Sequence, residues 1–169
     1  ESLADSKYKQ FHGKLIKDQN LIGIKIPILR NIAKKISTKN YTSFINQNTH
    51  QTYEETMLHG LVIGYLKIEF TKQLEYLDDF IPYITNWAIC DCMCATLKTF
   101  KENQDIGYQK IIQYLNKNNP WHIRVGLVLL LTYYINDQYI DQILVLSSNI
   151  TNDDYYVEMA NAWLISMCY

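Results

Sequence analysis

The side chains in this chain best suited to chemistry cluster beside its three tryptophans. Trp87 stands in Asn86-Trp87-Ala88-Ile89-Cys90-Asp91 and Trp121 in Pro120-Trp121-His122-Ile123-Arg124, while Trp163 follows Tyr155 and Tyr156 by two helical turns. Trp87 and Asp91 are four residues apart, so on a helix the indole and the carboxylate share one face. Asp91 lies in an unusually apolar run, which strengthens the case for an acid that faces a groove, the alternative being a core-packed Trp87 beside an exposed acid. Arg124 is the last Lys or Arg of the chain, and its planar fork fits a phosphate. It also fits a carboxylate, so a salt bridge to Asp91 is the structural alternative. Indole faces beside a carboxylate suit a cationic, electron-poor group, and the guanidinium suits a phosphate backbone next to it.

These groups need a scaffold that repeats. The tryptophans are 34 and 42 residues apart, close to the period of helical-repeat architectures, which would bring them to one concave surface. Helical periodicity runs through nearly the whole chain, and no strand-like alternation bounded by turns is present. The pattern predicts helices over about 4–16, from Pro27 through Ile36, 41–46, 52–67, 71–82, 86–100, 104–117, 120–134, 137–147 and 153–168. Pro27 suits a first turn, Thr52 followed by Glu54 and Glu55 suits an N-terminus, and Asn119-Pro120 is a cap followed by a helix-opening proline. Arg30, Lys34 and Lys35 are expected to face outward. Gly60 and Gly64, four apart, predict close helix contact. The expected fold is all-α, with HEAT-like antiparallel helix-hairpin repeats stacked as a curved α-solenoid in a single domain over residues 1–169. The chain stops at Tyr169 inside an apolar helical pattern, whereas terminal repeats present a polar outer face. The pattern therefore predicts that the natural protein continues.

Composition narrows the function classes. Apolar residues make up 48% and charged residues 20%, which argues against disorder. The net charge of −1 hides an asymmetry: residues 1–50 carry nine Lys/Arg against three Asp/Glu, and every later part is acidic. The basic third could meet an anion, and the acidic remainder would resist nonspecific nucleic-acid binding. Cys90, Cys92, Cys94 and Cys168 match no zinc or redox spacing, and read as free thiols in a reducing cytoplasm. The histidines at 12, 50, 59 and 122 have no metal spacing, so structural or solvent roles are expected. No signal peptide is visible. The longest apolar run, Val125–Ile135, is too short to span a bilayer.

With these residues in view, the chain resembles the DNA alkylation repair family, the AlkD-like HEAT-repeat DNA glycosylases. The likeness extends from about Leu21 to Cys168. It rests on Ile22-Gly23-Ile24-Lys25-Ile26-Pro27 with Arg30, on Asn86-Trp87 through Asp91, on Trp121 through Arg124, and on Tyr155-Tyr156 through Trp163. The resemblance implies excision of cationic alkylated purines, N3-methyladenine and N7-methylguanine, without base flipping. It implies Asp91 as the catalytic carboxylate, Trp87 and Trp163 as the aromatic pair against the lesion-bearing deoxyribose, and Arg124 as the backbone contact. Trp121 is left with a packing role. The implied partner is double-stranded DNA with alkylated bases, bound by a monomer without cofactor or metal. The sequence differs from active members in three places: one confident helix before Gly23 instead of two, Ser166 where a basic residue would hold the backbone, and Glu158 near the proposed DNA face. A catalytically silent DNA-binding or protein-binding module of the same family is the alternative.

Overall fold

The computed structural model describes residues 3–16 and 20–169. Among the described residues every regular element is helical, with ten α-helices and two short 3₁₀ turns, so the chain is all-α as expected. It divides into two compact units, Glu1–Thr96 and Leu97–Tyr169. Of the polar stretch Lys17-Asp18-Gln19-Asn20, which reads as a link after the first helix, the first three residues lie outside the described residues.

The first unit holds α1 (Ser6–Ile16), α2 (Ile26–Lys39), α3 (Tyr41–Gln47), α4 (Tyr53–Tyr65), α5 (Phe70–Phe80) and α6 (Trp87–Cys94). Helix α4 is its centre and packs on α2, α5 and α6. Its sequence is apolar nearly all round, as a helix covered on several sides must be, and Met57, Leu61, Val62 and Ile63 are fully buried. A reciprocal capping box starts it: the Glu55 N–H donates to Thr52 Oγ1 at 3.2 Å, and the Thr52 N–H donates to Glu55 Oε2 at 3.1 Å. Such a cap contributes about 1 kcal/mol.

Glu54, beside it, does more than meet the helix dipole. Its carboxylate is buried and accepts three backbone N–H groups, from Ile22 at 2.8 Å, Gly23 at 2.6 Å and Ile24 at 3.1 Å. Gly23 has φ +103°, and a side chain there would also meet Lys9 Cβ at 2.8 Å. Its carbonyl accepts the Asp5 N–H at 2.9 Å. One buried acid thus fixes the turn from which α2 departs.

The helix expected over 86–100 is shorter. It ends at Cys94, and a 3₁₀ turn, Lys98–Lys101, follows after a break. The Thr96 hydroxyl donates to the Met93 carbonyl at 2.7 Å, and Leu97 leaves helical backbone with ψ 55°. Gly64 explains the fit at this point, since a Cβ there would lie 1.8 Å from Thr96 Oγ1. The expected close contact at the Gly60/Gly64 pair is therefore between α4 and the end of α6. Similarly, the 71–82 helix stops at Phe80, and Pro82 sits in a 3₁₀ turn, Ile81–Tyr83.

The second unit holds α7 (Gln104–Leu115), α8 (Pro120–Tyr133), α9 (Ile140–Ser148) and α10 (Tyr155–Cys168). Helix α8 is central and packs on α7 and α10, with Val125, Leu127, Leu129 and Leu130 fully buried. Asn119 caps it as expected, accepting the N–H of Trp121 at 2.9 Å and of His122 at 3.3 Å. The helix expected from 137 begins at Ile140, because Asn136 first makes its own turn, accepting the Gln138 N–H on its side chain at 3.0 Å. No helix among the described residues is long and apolar enough to cross a membrane.

Candidate functional site

Helix α6 is eight residues long and begins at an asparagine cap, with the Ile89 N–H donating to Asn86 Oδ1 at 3.2 Å. Ala88, Ile89, Cys90, Met93 and Cys94 are buried, and the helix packs on α4. What remains on the outer face is Trp87, 36% exposed, and one turn on the half-buried Asp91. The helix therefore presents an indole and a carboxylate together, as their spacing predicts.

Cys92, next to Asp91, meets α2. Burial pushes its thiol up, while the adjacent Arg30, hydrogen-bonded to the sulfur, opposes the shift. Cys92 is thus a protonated thiol at neutral pH. Arg30 Nη1 also donates to the Tyr65 hydroxyl at 3.2 Å, and the Lys34 ammonium lies 5.3 Å from the centroid of the same ring. Arg30, expected to face outward, is instead half-buried, held by these two contacts. Tyr65, at the end of α4, carries two cations of α2 on one side chain, Arg30 on its hydroxyl and Lys34 over its ring, the latter contact being worth about 0.5–1 kcal/mol at an exposed site. Sequence reading placed Lys34 outside but had no signal for its seat on Tyr65.

In the second unit, Arg124 leaves α8 toward α10 and is only 5% exposed. Its Nη1 donates to the Tyr156 carbonyl at 2.5 Å, and its guanidinium carbon lies 6.0 Å from the centroid of the Tyr156 ring. Trp121, three residues earlier on α8, stacks on the same ring at 5.2 Å and 29°. Trp121 is half-buried and has an aromatic packing partner. Trp163 differs from it: it is 43% exposed, on a stripe of α10 that also exposes Tyr155, Met159 and Met167. Val157, Ala160 and Leu164 form the buried side of that helix. Ser166 and Glu158 are exposed, and the Ser166 hydroxyl donates to the Trp163 carbonyl at 2.7 Å.

The histidines are structural in their contacts. His12 meets the Tyr53 hydroxyl at 3.0 Å, and His50 meets His59 at 2.8 Å. Among the described residues no three His, Cys, Asp or Glu side chains gather to hold a metal ion, and the four cysteines are thiols.

Each unit therefore offers an exposed indole on a helix whose other side is buried: Trp87 on α6 with Asp91 one turn on, and Trp163 on α10, the helix whose first turn Arg124 of α8 meets. No curated protein and no solved structure matches the chain. A family model described as DNA alkylation repair enzyme matches residues 1–168. The match takes in every helix described above, and the chain belongs to this family, with a role in DNA alkylation repair and DNA as its partner.

Proposed function

We propose that the chain is a DNA glycosylase that hydrolyses the N-glycosidic bond of cationic alkylpurines such as N3-methyladenine and N7-methylguanine, without flipping the base. The observation that carries this reading is the Trp87–Asp91 pair, an accessible indole and a carboxylate one turn apart on α6.

The chemistry asks little else of the protein. Alkylation leaves the purine positively charged, so the C1′–N bond breaks with its electron pair moving to the base, which departs neutral without a general acid. Positive charge develops on the sugar as an oxocarbenium ion. Asp91 stabilises that charge and orients the water whose oxygen bonds to C1′, and the water's proton is released as the sugar becomes abasic. Trp87 and Trp163 supply electron-rich faces to the charged sugar, each worth on the order of 0.5–2 kcal/mol depending on desolvation. Arg124 contacts the phosphate backbone, and Arg30 with Lys34 supplies basic charge on α2. Holding the lesion by sugar and phosphate makes a snug base pocket unnecessary.

Release of N7-methylguanine from methylated duplex DNA tests the reading. Asp91→Asn should lower release by about 10²–10³-fold with helicity unchanged, the scale of losing one preorganised electrostatic group. Wild-type release no faster than spontaneous depurination sinks it. Two observations favour a second reading, a catalytically silent DNA-binding module: Arg124 is nearly inaccessible, and Ser166 supplies no charge beyond Trp163. Salt-sensitive retention of duplex DNA without any base release would select that reading.

A further inference from the structure

We propose that Arg30 and Lys34 of α2, gathered on the Tyr65 side chain, form a seat for one phosphate of the DNA backbone. The seat needs only a duplex as partner, and its distance from the lesion rests on the glycosylase reading. Residues 19–53 hold five Lys/Arg and no Asp or Glu, so the charge on α2 has one sign. Lys25 is neutralised by Asp5 at 2.8 Å. Lys34 is exposed and, among the described residues, makes no ion pair.

Cations four residues apart share one face of a helix and repel each other. Here the fold brings both to one side chain: Arg30 Nη1 donates to the Tyr65 hydroxyl at 3.2 Å, and the Lys34 ammonium lies 5.3 Å from the centroid of the ring. The electron-rich ring attracts the ammonium, but tyrosine brings no full negative charge, so the two cations remain uncompensated. An anion offsets that repulsion, and lysine binds phosphate as a point charge. Lys34, the exposed member, makes the direct contact. The half-buried Arg30 adds a second charge, held by Tyr65 and by its hydrogen bond to the Cys92 sulfur. That last bond ties the seat to α6, where Cys92 adjoins Asp91. Helices α2 and α6 both pack on α4, and packed axes lie about 8–10 Å apart, so α2 and α6 are separated by at most roughly 16–20 Å. One DNA strand covers that span in about six nucleotides at about 3.4 Å each. With the lesion sugar at Asp91, the seated phosphate lies within about six nucleotides of it.

Lys39 supplies the control. It is exposed, carries the same charge and lies five residues on, about 140° round α2 from Lys34. Affinity of the full chain for a short duplex with one tetrahydrofuran abasic site is measured between about 50 and 200 mM salt for wild type, Lys34→Gln and Lys39→Gln. Lys34→Gln should lower the slope of log affinity against log salt by about one, and Lys39→Gln should leave it unaltered. One uncharged methylphosphonate is then moved along each strand. A single position, within about six nucleotides of the abasic site, should weaken wild type and Lys39→Gln about fivefold and Lys34→Gln hardly at all, because that variant has already lost the contact. An unchanged slope in Lys34→Gln overturns the seat. Equal changes in both variants also overturn it, because diffuse charge then accounts for binding. A slope lowered only in Lys34→Gln, with no position singled out, upholds the seat and removes the register that the glycosylase reading supplies. A wild type that binds no duplex overturns both.

Discussion

Acidification from pH 7 to pH 4 should weaken the first unit through one buried histidine pair. His59, on α4, is 5% exposed, and its Nδ1 lies 2.8 Å from His50 Nε2. An N–H···N bond of this kind holds one proton between the rings. His50 stacks on Tyr83 at 3.8 Å and 8°, while His59 meets Phe44 at 6.3 Å and Phe80 at 4.8 Å. Among the described residues the charged groups facing the pair are few: Glu55 favours a charge on His50, and no acid offsets one on His59. Burial first, and the His50 charge second, hold His59 down to about 4. The unfolded chain protonates near 6.5, so stability is intact above that pH and is lost as pH falls from about 6.5 toward 4. The difference of about 2.5 units at 1.36 kcal/mol each gives a loss of about 3 kcal/mol, a large share of the roughly 5–15 kcal/mol typical of a domain. Urea unfolding at pH 7, 6, 5 and 4 would measure it, with His59→Gln as the reference that titrates every other group but this one. The gap between wild type and variant should shrink by about 3 kcal/mol over that range. Parallel stability curves for the two proteins would refute the reasoning.

Glu54→Gln replaces one of two acceptor oxygens by a donor facing the Ile22, Gly23 and Ile24 N–H groups. It should cost about 2–4 kcal/mol in urea unfolding, and a loss below about 1 kcal/mol would remove Glu54 as the lock of that turn. Gly64→Ala forces a methyl group into Thr96 and should destabilise by about 2 kcal/mol or more in the same assay, whereas a neutral result would mean that α4 and α6 separate freely. Lys34→Gln should reduce the salt slope of duplex affinity by about one, equally for damaged and undamaged DNA, and an unchanged slope would take α2 out of the interface.

Helix starts were legible because their causes are local. Thr52 and Asn119 cap the residues two and three positions on, so a short stretch of sequence contains the whole interaction. The early end of α6 was not legible, since it belongs to a fit between Thr96 and Gly64, 32 residues earlier. Glu54 was read as a dipole partner for the same reason: its three donors sit 30 to 32 residues away. A signal was present, however, in a second acid beside the one that closes the capping box, and in a glycine turn whose N–H groups had no acceptor in sight. Arg124 shows a different limit. Its acceptor is a backbone carbonyl, and a carbonyl leaves no trace in residue type, so the sequence pointed to the guanidinium without revealing how it is held.

The tryptophans separate by what their surroundings leave unsatisfied. Trp121 is half-buried and stacked on Tyr156, so packing alone accounts for it. Trp87 and Trp163 remain 36% and 43% exposed, on helices that each bury another side. Leaving part of a large aromatic surface in water forgoes hydrophobic stabilisation of about 25 cal/mol per Å² that a smaller polar residue would not forgo. A single exposed indole is ordinary on a protein surface. One turn from a half-buried carboxylate it has a chemical use, since a positively charged sugar is a ligand that engages both groups at once. The same reasoning ranks the pair above Trp163 as evidence, because Trp163 shares its stripe with exposed Tyr155, Met159 and Met167, any of which meets the demands of a merely apolar contact. Substituting Trp87 and Asp91 together should therefore cost less than the sum of the two single losses, since each acts on the charge that the other helps to hold.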